Sequence, residues 1–181
     1  MNTEVFRKLK NIHNRWGEKI FGQICQDLLA LSIAEMDCNP ASIEVHNIEG
    51  VDIVIDDTNF GKYAIEVKTT SGSGKTINFG EKDYKGLTKY SENGYETILA
   101  VLKIDLQKEW ILANVSRKAQ KYNLKVNALY TADKYKKLAK MINENFEKLV
   151  KENCKEILES GEKYLREKLR EKNIKYSGGG E

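Results

Sequence analysis

Near the start of the chain, apolar residues return every three or four positions: Val5, Leu9, Ile12, Trp16, Ile20, Ile24 and Leu28. That spacing matches the turn of an α-helix and predicts one amphipathic helix or two. From residue 50 the period falls to two. Gly50-Val51-Asp52-Ile53-Val54-Ile55 and Tyr63-Ala64-Ile65-Glu66-Val67-Lys68 read as strands, and the turn formers in Asp56-Asp57-Thr58-Asn59-Phe60-Gly61 fold them into a hairpin. Thr76-Ile77-Asn78-Phe79 alternates as a further strand. A short helix over 81–90 runs through Leu87 and Tyr90 and stops before Gly94. Strands at 97–104 and 109–115 follow, the first so apolar that it predicts burial on both faces, the second anchored by Trp110.

From about Thr131 to Lys172 the pattern returns to a helical stripe, from Leu138, Ile142 and Phe146 through Cys154 and Ile157 to Leu165 and Leu169, in a lysine- and glutamate-rich background. Ser160-Gly161 predicts a kink or break. The heptad register drifts, which argues against a regular coiled coil. Such a stripe packs on its own domain or on a second copy; its length leads us to expect a homodimer interface. The layout expected is a core over 1–130, a helical extension over 131–176 and a disordered tail over 177–181.

The strand alternation has a chemical consequence. Glu66 and Lys68 fall on one face while Ile65 and Val67 fall on the other, so an acid and an amine project together from an otherwise apolar strand. Such charges need partners, either as an ion pair or as a working site. The hairpin brings Asp52, at the start of one strand, beside the end of the other, so two carboxylates and a lysine converge.

These residues resemble the PD-(D/E)xK nuclease superfamily, whose site is an acid on one strand and an acid-x-Lys triplet on the next. Here the triplet is Glu66-Val67-Lys68, and Val51 stands where the motif has proline. The run from Ile65 to Thr70 is similar to the core strand of Holliday-junction resolvases and small restriction-type domains. The resemblance spans roughly residues 14–115. It implies a restriction-endonuclease-like α/β fold, a mixed central sheet flanked by helices, and a magnesium-dependent endonuclease on DNA, with manganese as a substitute and RNA left open. It further implies that Asp52 and Glu66 hold the metal, joined by a backbone carbonyl, which we assign to Val67. Glu18, in Trp16-Gly17-Glu18 on the first helix, occupies the place of a family glutamate that often joins the site; from spacing alone it is equally a solvated helix-flank residue.

Phosphodiester hydrolysis builds negative charge on phosphoryl oxygens and needs a hydroxide-like nucleophile, and a divalent cation answers both demands. Magnesium takes oxygen ligands and keeps several waters. Lys68 then acts as a fixed cation or orients the attacking water; a role as base requires a strongly lowered pKa.

Ser71-Gly72-Ser73-Gly74-Lys75-Thr76 ends like a phosphate-binding loop but lacks its first glycine, since Thr69 stands there, and no helix follows. It reads as a hairpin connection in which Lys75, with Thr69, Thr70, Ser71 and Ser73, either contacts a nucleic-acid backbone or is ordinary surface. Lys82, Lys85 and Lys89 share one side of the 81–90 helix, as a DNA-facing stripe or a solubilising one. Cys25, Cys38 and Cys154 have neither disulfide nor zinc spacing, and Cys25 reads as core. Two histidines are too few for chemistry built on several imidazoles. No apolar run approaches a membrane span and the start lacks a secretory profile, so we expect an intracellular, cytoplasmic protein. Residues 1–130 are charge-balanced, and the net +3 originates beyond them. Two further readings remain: a catalytically inactive nucleic-acid-binding domain with a nuclease fold, and a helical assembly module.

Overall fold

The structure is a computed structural model, and it describes residues 2–37, 40–46, 50–71, 76–105, 109–114, 123–125 and 128–177. The chain is a mixed α/β fold. Helix α1 (Thr3–Ala34) precedes β1 (Ile43–His46), the hairpin β2 (Ile53–Asp57) and β3 (Gly61–Thr70), then β4 (Thr76–Asn78) and α2 (Glu81–Glu92). After these come β5 (Glu96–Lys103), β6 (Ile111–Asn114), β7 (Asn123–Lys125), α3 (Lys136–Ser160), α4 (Glu162–Glu171) and β8 (Lys175–Ser177).

Six strands form one sheet in the order β6-β5-β3-β2-β1-β8, while β4 and β7 pair separately. The pairs β3–β5 and β1–β8 are parallel, and the other ladders of the sheet are antiparallel. Alternation divides the buried side chains between two faces. Ile53, Ile55, Ile65, Ile98, Ala100 and Leu102 pack against α1, α3 and α4. Val54, Ala64, Leu99, Val101 and Ala113 meet Ile77, Phe79 and Leu87 from β4 and α2. One charged side chain interrupts the apolar run expected at 97–104: Lys103, at the end of β5, is buried.

The helical expectations take a definite form. The first helix is two helical segments joined by a kink at Gly17, whose φ of 74° and ψ of 172° lie outside helical values. Only glycine adopts that conformation cheaply. Gly161, with φ 58°, separates α3 from α4 as the sequence predicts.

The apolar stripe of α3 and α4 lies within the chain. Ile142, Phe146, Val150, Ile157, Leu165 and Leu169 are buried in the same core as Leu9, Ile12 and Leu28 of α1. Trp16 ties the packing together by donating its indole N–H to the Ile157 carbonyl at 2.9 Å. The stripe expected to meet a second copy is therefore covered by α1. Ser177, expected in a disordered tail, belongs to β8 beside His46, and residues 178–181 lie outside the described residues. Among the described residues no helix is long and apolar enough to cross a membrane.

Candidate active site

The hairpin register decides what stands opposite what. The last pair of the ladder is Ile53 with Ile65, and the Asp52 N–H, one residue out of that register, donates to the Ile65 carbonyl at 3.0 Å. Asp52 lies close enough to Glu66 for the charge of one to act on the other. Asp52 itself sits in the bend just before β2 rather than within the strand. Its Oδ2 accepts the Val67 N–H at 2.6 Å, which draws the Val67 backbone to the site. Gln26 on α1 fixes the bend from below, its side-chain amide donating to the carbonyls of both His46 (2.8 Å) and Asp52 (3.1 Å).

Glu66 is only 3% exposed, and its Oε2 is buried with no hydrogen-bond partner. Its Oε1 receives Lys68 Nζ at 2.7 Å, and the same amine reaches Asp83 Oδ2 at 3.1 Å. Burial first, then the Asp52 charge, pushes the Glu66 carboxyl well above the usual carboxylate range. Burial also raises Asp52, against the opposing pull of the Val67 N–H and Lys68. For Lys68, burial disfavours the charge, but Glu66 and Asp83 outweigh it and raise the pKa. That direction favours the protonated ammonium of Lys68.

Three carboxylates share one ammonium, so the cluster lacks positive charge when all are ionised. A divalent cation has the sign and the size of charge that is missing, and the orphaned Glu66 oxygen is an acceptor of the kind it binds. Among the described residues no three of His, Cys, Asp and Glu are grouped to hold a metal. Two carboxylates are oxygen ligands of the kind that magnesium, which keeps several waters, can take.

Lys68 and Asp83, but neither Asp52 nor Glu66, line a groove of roughly 720 Å³ formed by residues of β3, β4 and the start of α2, with Thr69, Thr70 and Lys82 beside them. Glu18 stands at its edge: the α1 kink directs it to β3, where its Oε1 accepts the Thr70 hydroxyl at 2.8 Å. Glu18 and Thr70 hold one another at the groove's edge, with Thr70 four residues along β3 from Glu66. Ser71 is engaged by His13, Oγ to Nε2 at 2.6 Å. Lys85 is salt-bridged to Glu81 at 2.6 Å on the exposed side of α2, while Lys82 lines the groove. Lys75 and Ser73 lie outside the described residues.

With this geometry in view, the comparisons are spare. Similar solved structures include one of an archaeal protein. It is the Holliday junction resolvase Hjc of Archaeoglobus fulgidus, an archaeal hyperthermophile, at 16% identity and a TM-score of 0.37, over 53% of this chain and 75% of that one. No protein-family model matches the chain, and no curated protein matches it.

Sequence reasoning missed two members of the site. Asp83 reads as the third residue of a helix that begins after Gly80, where an acid is an ordinary cap; indeed its Oδ2 accepts the Gly80 N–H at 2.8 Å. Gln26 sits in an apolar stretch of α1 and carries no local signal. Both act through contacts between elements distant in sequence.

Proposed function

We propose that this protein is a divalent-metal-dependent endonuclease that hydrolyses phosphodiester bonds in DNA. The observation that supports it most is the neighbouring pair of a half-buried Asp52 and a buried Glu66 with one oxygen unsatisfied, beside a lysine whose pKa Glu66 and Asp83 raise. Asp52, Glu66 and the Val67 backbone carbonyl would hold the metal, with Glu18 reaching it through water. When bound, magnesium supplies an activated water and neutralises charge on the phosphoryl group.

The chain's own residues do the rest. Asp52 is oriented by the Val67 N–H, so its free oxygen keeps a fixed direction. Lys68 presents a fixed positive charge to phosphoryl oxygens on which negative charge accumulates, a stabilisation that grows in the transition state. Thr69 and Lys82 in the groove wall offer a hydroxyl and an ammonium to neighbouring phosphates, the usual partners of a nucleic-acid backbone.

The test incubates the purified protein with linear, branched, single-stranded and supercoiled DNA, with and without magnesium or manganese. Cleavage that needs the metal and disappears in Asp52→Ala, Glu66→Ala and Lys68→Ala, while circular dichroism stays native, is the expected result. Cleavage retained in any two of the three rejects the site. Salt-sensitive DNA binding without turnover in either metal leaves a binding domain instead.

A further inference from the structure

Helix α2 touches both halves of the acidic motif with one of its faces. Asp83, in its first turn, salt-bridges Lys68 at 3.1 Å. Gly86, three residues later and hence on the same face, lies against the backbone of Gly50, so close that a Cβ there would stand 3.0 Å from both the Cα and the carbonyl carbon of Gly50. Gly50 leads directly into Asp52. The helix therefore braces the approach to Asp52 with its backbone and grips Lys68 with a carboxylate.

The grip on Lys68 is shared. Its ammonium has three donors, of which Glu66 and Asp83 take two, and the side chain remains 25% exposed where it lines the groove. Glu66 has a second task if the proposed function is right, because its carboxylate must also serve a cation. An amine anchored by Glu66 alone is then held by a group whose oxygens are in demand. Asp83 carries no such conflict: the Gly80 N–H fixes its Oδ2, and that same oxygen accepts Lys68.

Resting on that functional reading, we infer that Asp83 is a positioning residue of the site, a fourth charged member that keeps the Lys68 ammonium in place while Glu66 serves the metal. It acts through Lys68 and has no contact with substrate in this assignment. The geometry that carries it is the single carboxylate oxygen shared by the helix start and the lysine.

Asp83→Asn separates the two duties, since the amide oxygen still accepts the Gly80 N–H while the charge is lost. The first measurement needs no activity: acylation of each lysine by an N-hydroxysuccinimide ester, read by peptide mass spectrometry. In the wild type Lys68 labels more slowly than Lys82 and Lys85, and in Asp83→Asn its rate rises at least about fivefold, as expected for a lost charged hydrogen bond. Asp83→Glu restores protection. The second measurement is steady-state cleavage of whichever DNA the wild type cuts. There Asp83→Asn lowers kcat about ten- to a hundredfold with KM little changed, as an electrostatic contribution felt in the transition state requires. If Asn disturbs the fold, as seen by circular dichroism, Asp83→Ser repeats both readouts with a hydroxyl cap.

Unchanged labelling of Lys68 in a folded variant overturns the inference. So does an unchanged kcat in an active wild type. A wild type that cuts no DNA in either metal overturns the nuclease reading, and with it Asp83's part in catalysis, whereas the labelling still reports whether Asp83 holds the amine.

Discussion

Glu66 sets the energetics at the scale of single residues. A buried carboxylate with an unsatisfied oxygen costs stability, and such costs concentrate where a protein does chemistry. Replacing it by glutamine keeps an acceptor for Lys68 and removes the charge. Glu66→Gln is expected to raise the stability of the metal-free protein near pH 8 by about 1–2 kcal/mol, measured by chemical denaturation, while abolishing metal-dependent cleavage. A loss of stability contradicts the assignment.

The same carboxylates carry a pH dependence. Asp52 and Glu66 both titrate above their ordinary range in the folded state, so the folded protein holds protons that the unfolded chain releases. The stability they contribute is therefore complete below the ordinary carboxylate range and is lost as pH rises toward the raised values. Metal ligation requires the ionised forms, so its benefit runs the other way. The rise in Tm produced by magnesium should be larger near pH 8.5 than near pH 6, and an increment that shrinks with pH refutes the pair as ligands.

Two glycines govern how whole elements meet. Gly161 has a positive φ, and a Cβ there would come 3.0 Å from the Trp16 ring that braces α1 against α3. Gly161→Ala combines backbone strain with overpacking and should cost about 1–3 kcal/mol in thermal or urea unfolding. Gly86→Ala instead pushes α2 off Gly50, beside Asp52, so cleavage should fall more steeply than Tm.

This is also the scale at which legibility in the sequence runs out. The hairpin and its charged pair were readable because period-two alternation and turn residues are local signals. Helix α2 and the break at Gly161 were readable for the same reason. β1, β7 and β8, three or four residues each, are too short to show a period, and their pairing partners are remote. Asp83 and Gln26 announce nothing locally, because the first doubles as a helix cap and the second is one polar residue in an apolar run. The stripe of α3 was visible, but an apolar stripe carries no mark of what covers it.

Across the whole molecule, α1 is the shared element of one core that it forms with α3, α4 and one face of the sheet. Asp27, on that helix and almost fully buried, is pushed up to about 8 by burial, with Arg166 of α4 pulling against the rise. Its contribution to stability is therefore full below about pH 4 and declines as pH rises toward about 8. Between pH 5 and pH 9 the wild type should lose on the order of 4 kcal/mol relative to Asp27→Asn, whose profile lacks this slope. Parallel denaturation curves at the two pH values contradict it.

The order in which these layers appear along the chain has a consequence for biosynthesis. Roughly a hundred residues separate the end of α1 at Ala34 from the beginning of α3 at Lys136. A nascent polypeptide emerging from the ribosome thus lacks the α3 and α4 cover of α1 for most of its translation, and long-range closure of this kind is slow. Ribosomes paused anywhere before Lys136 should display α1 to trigger-type chaperones, which makes this helix the segment most exposed to co-translational aggregation.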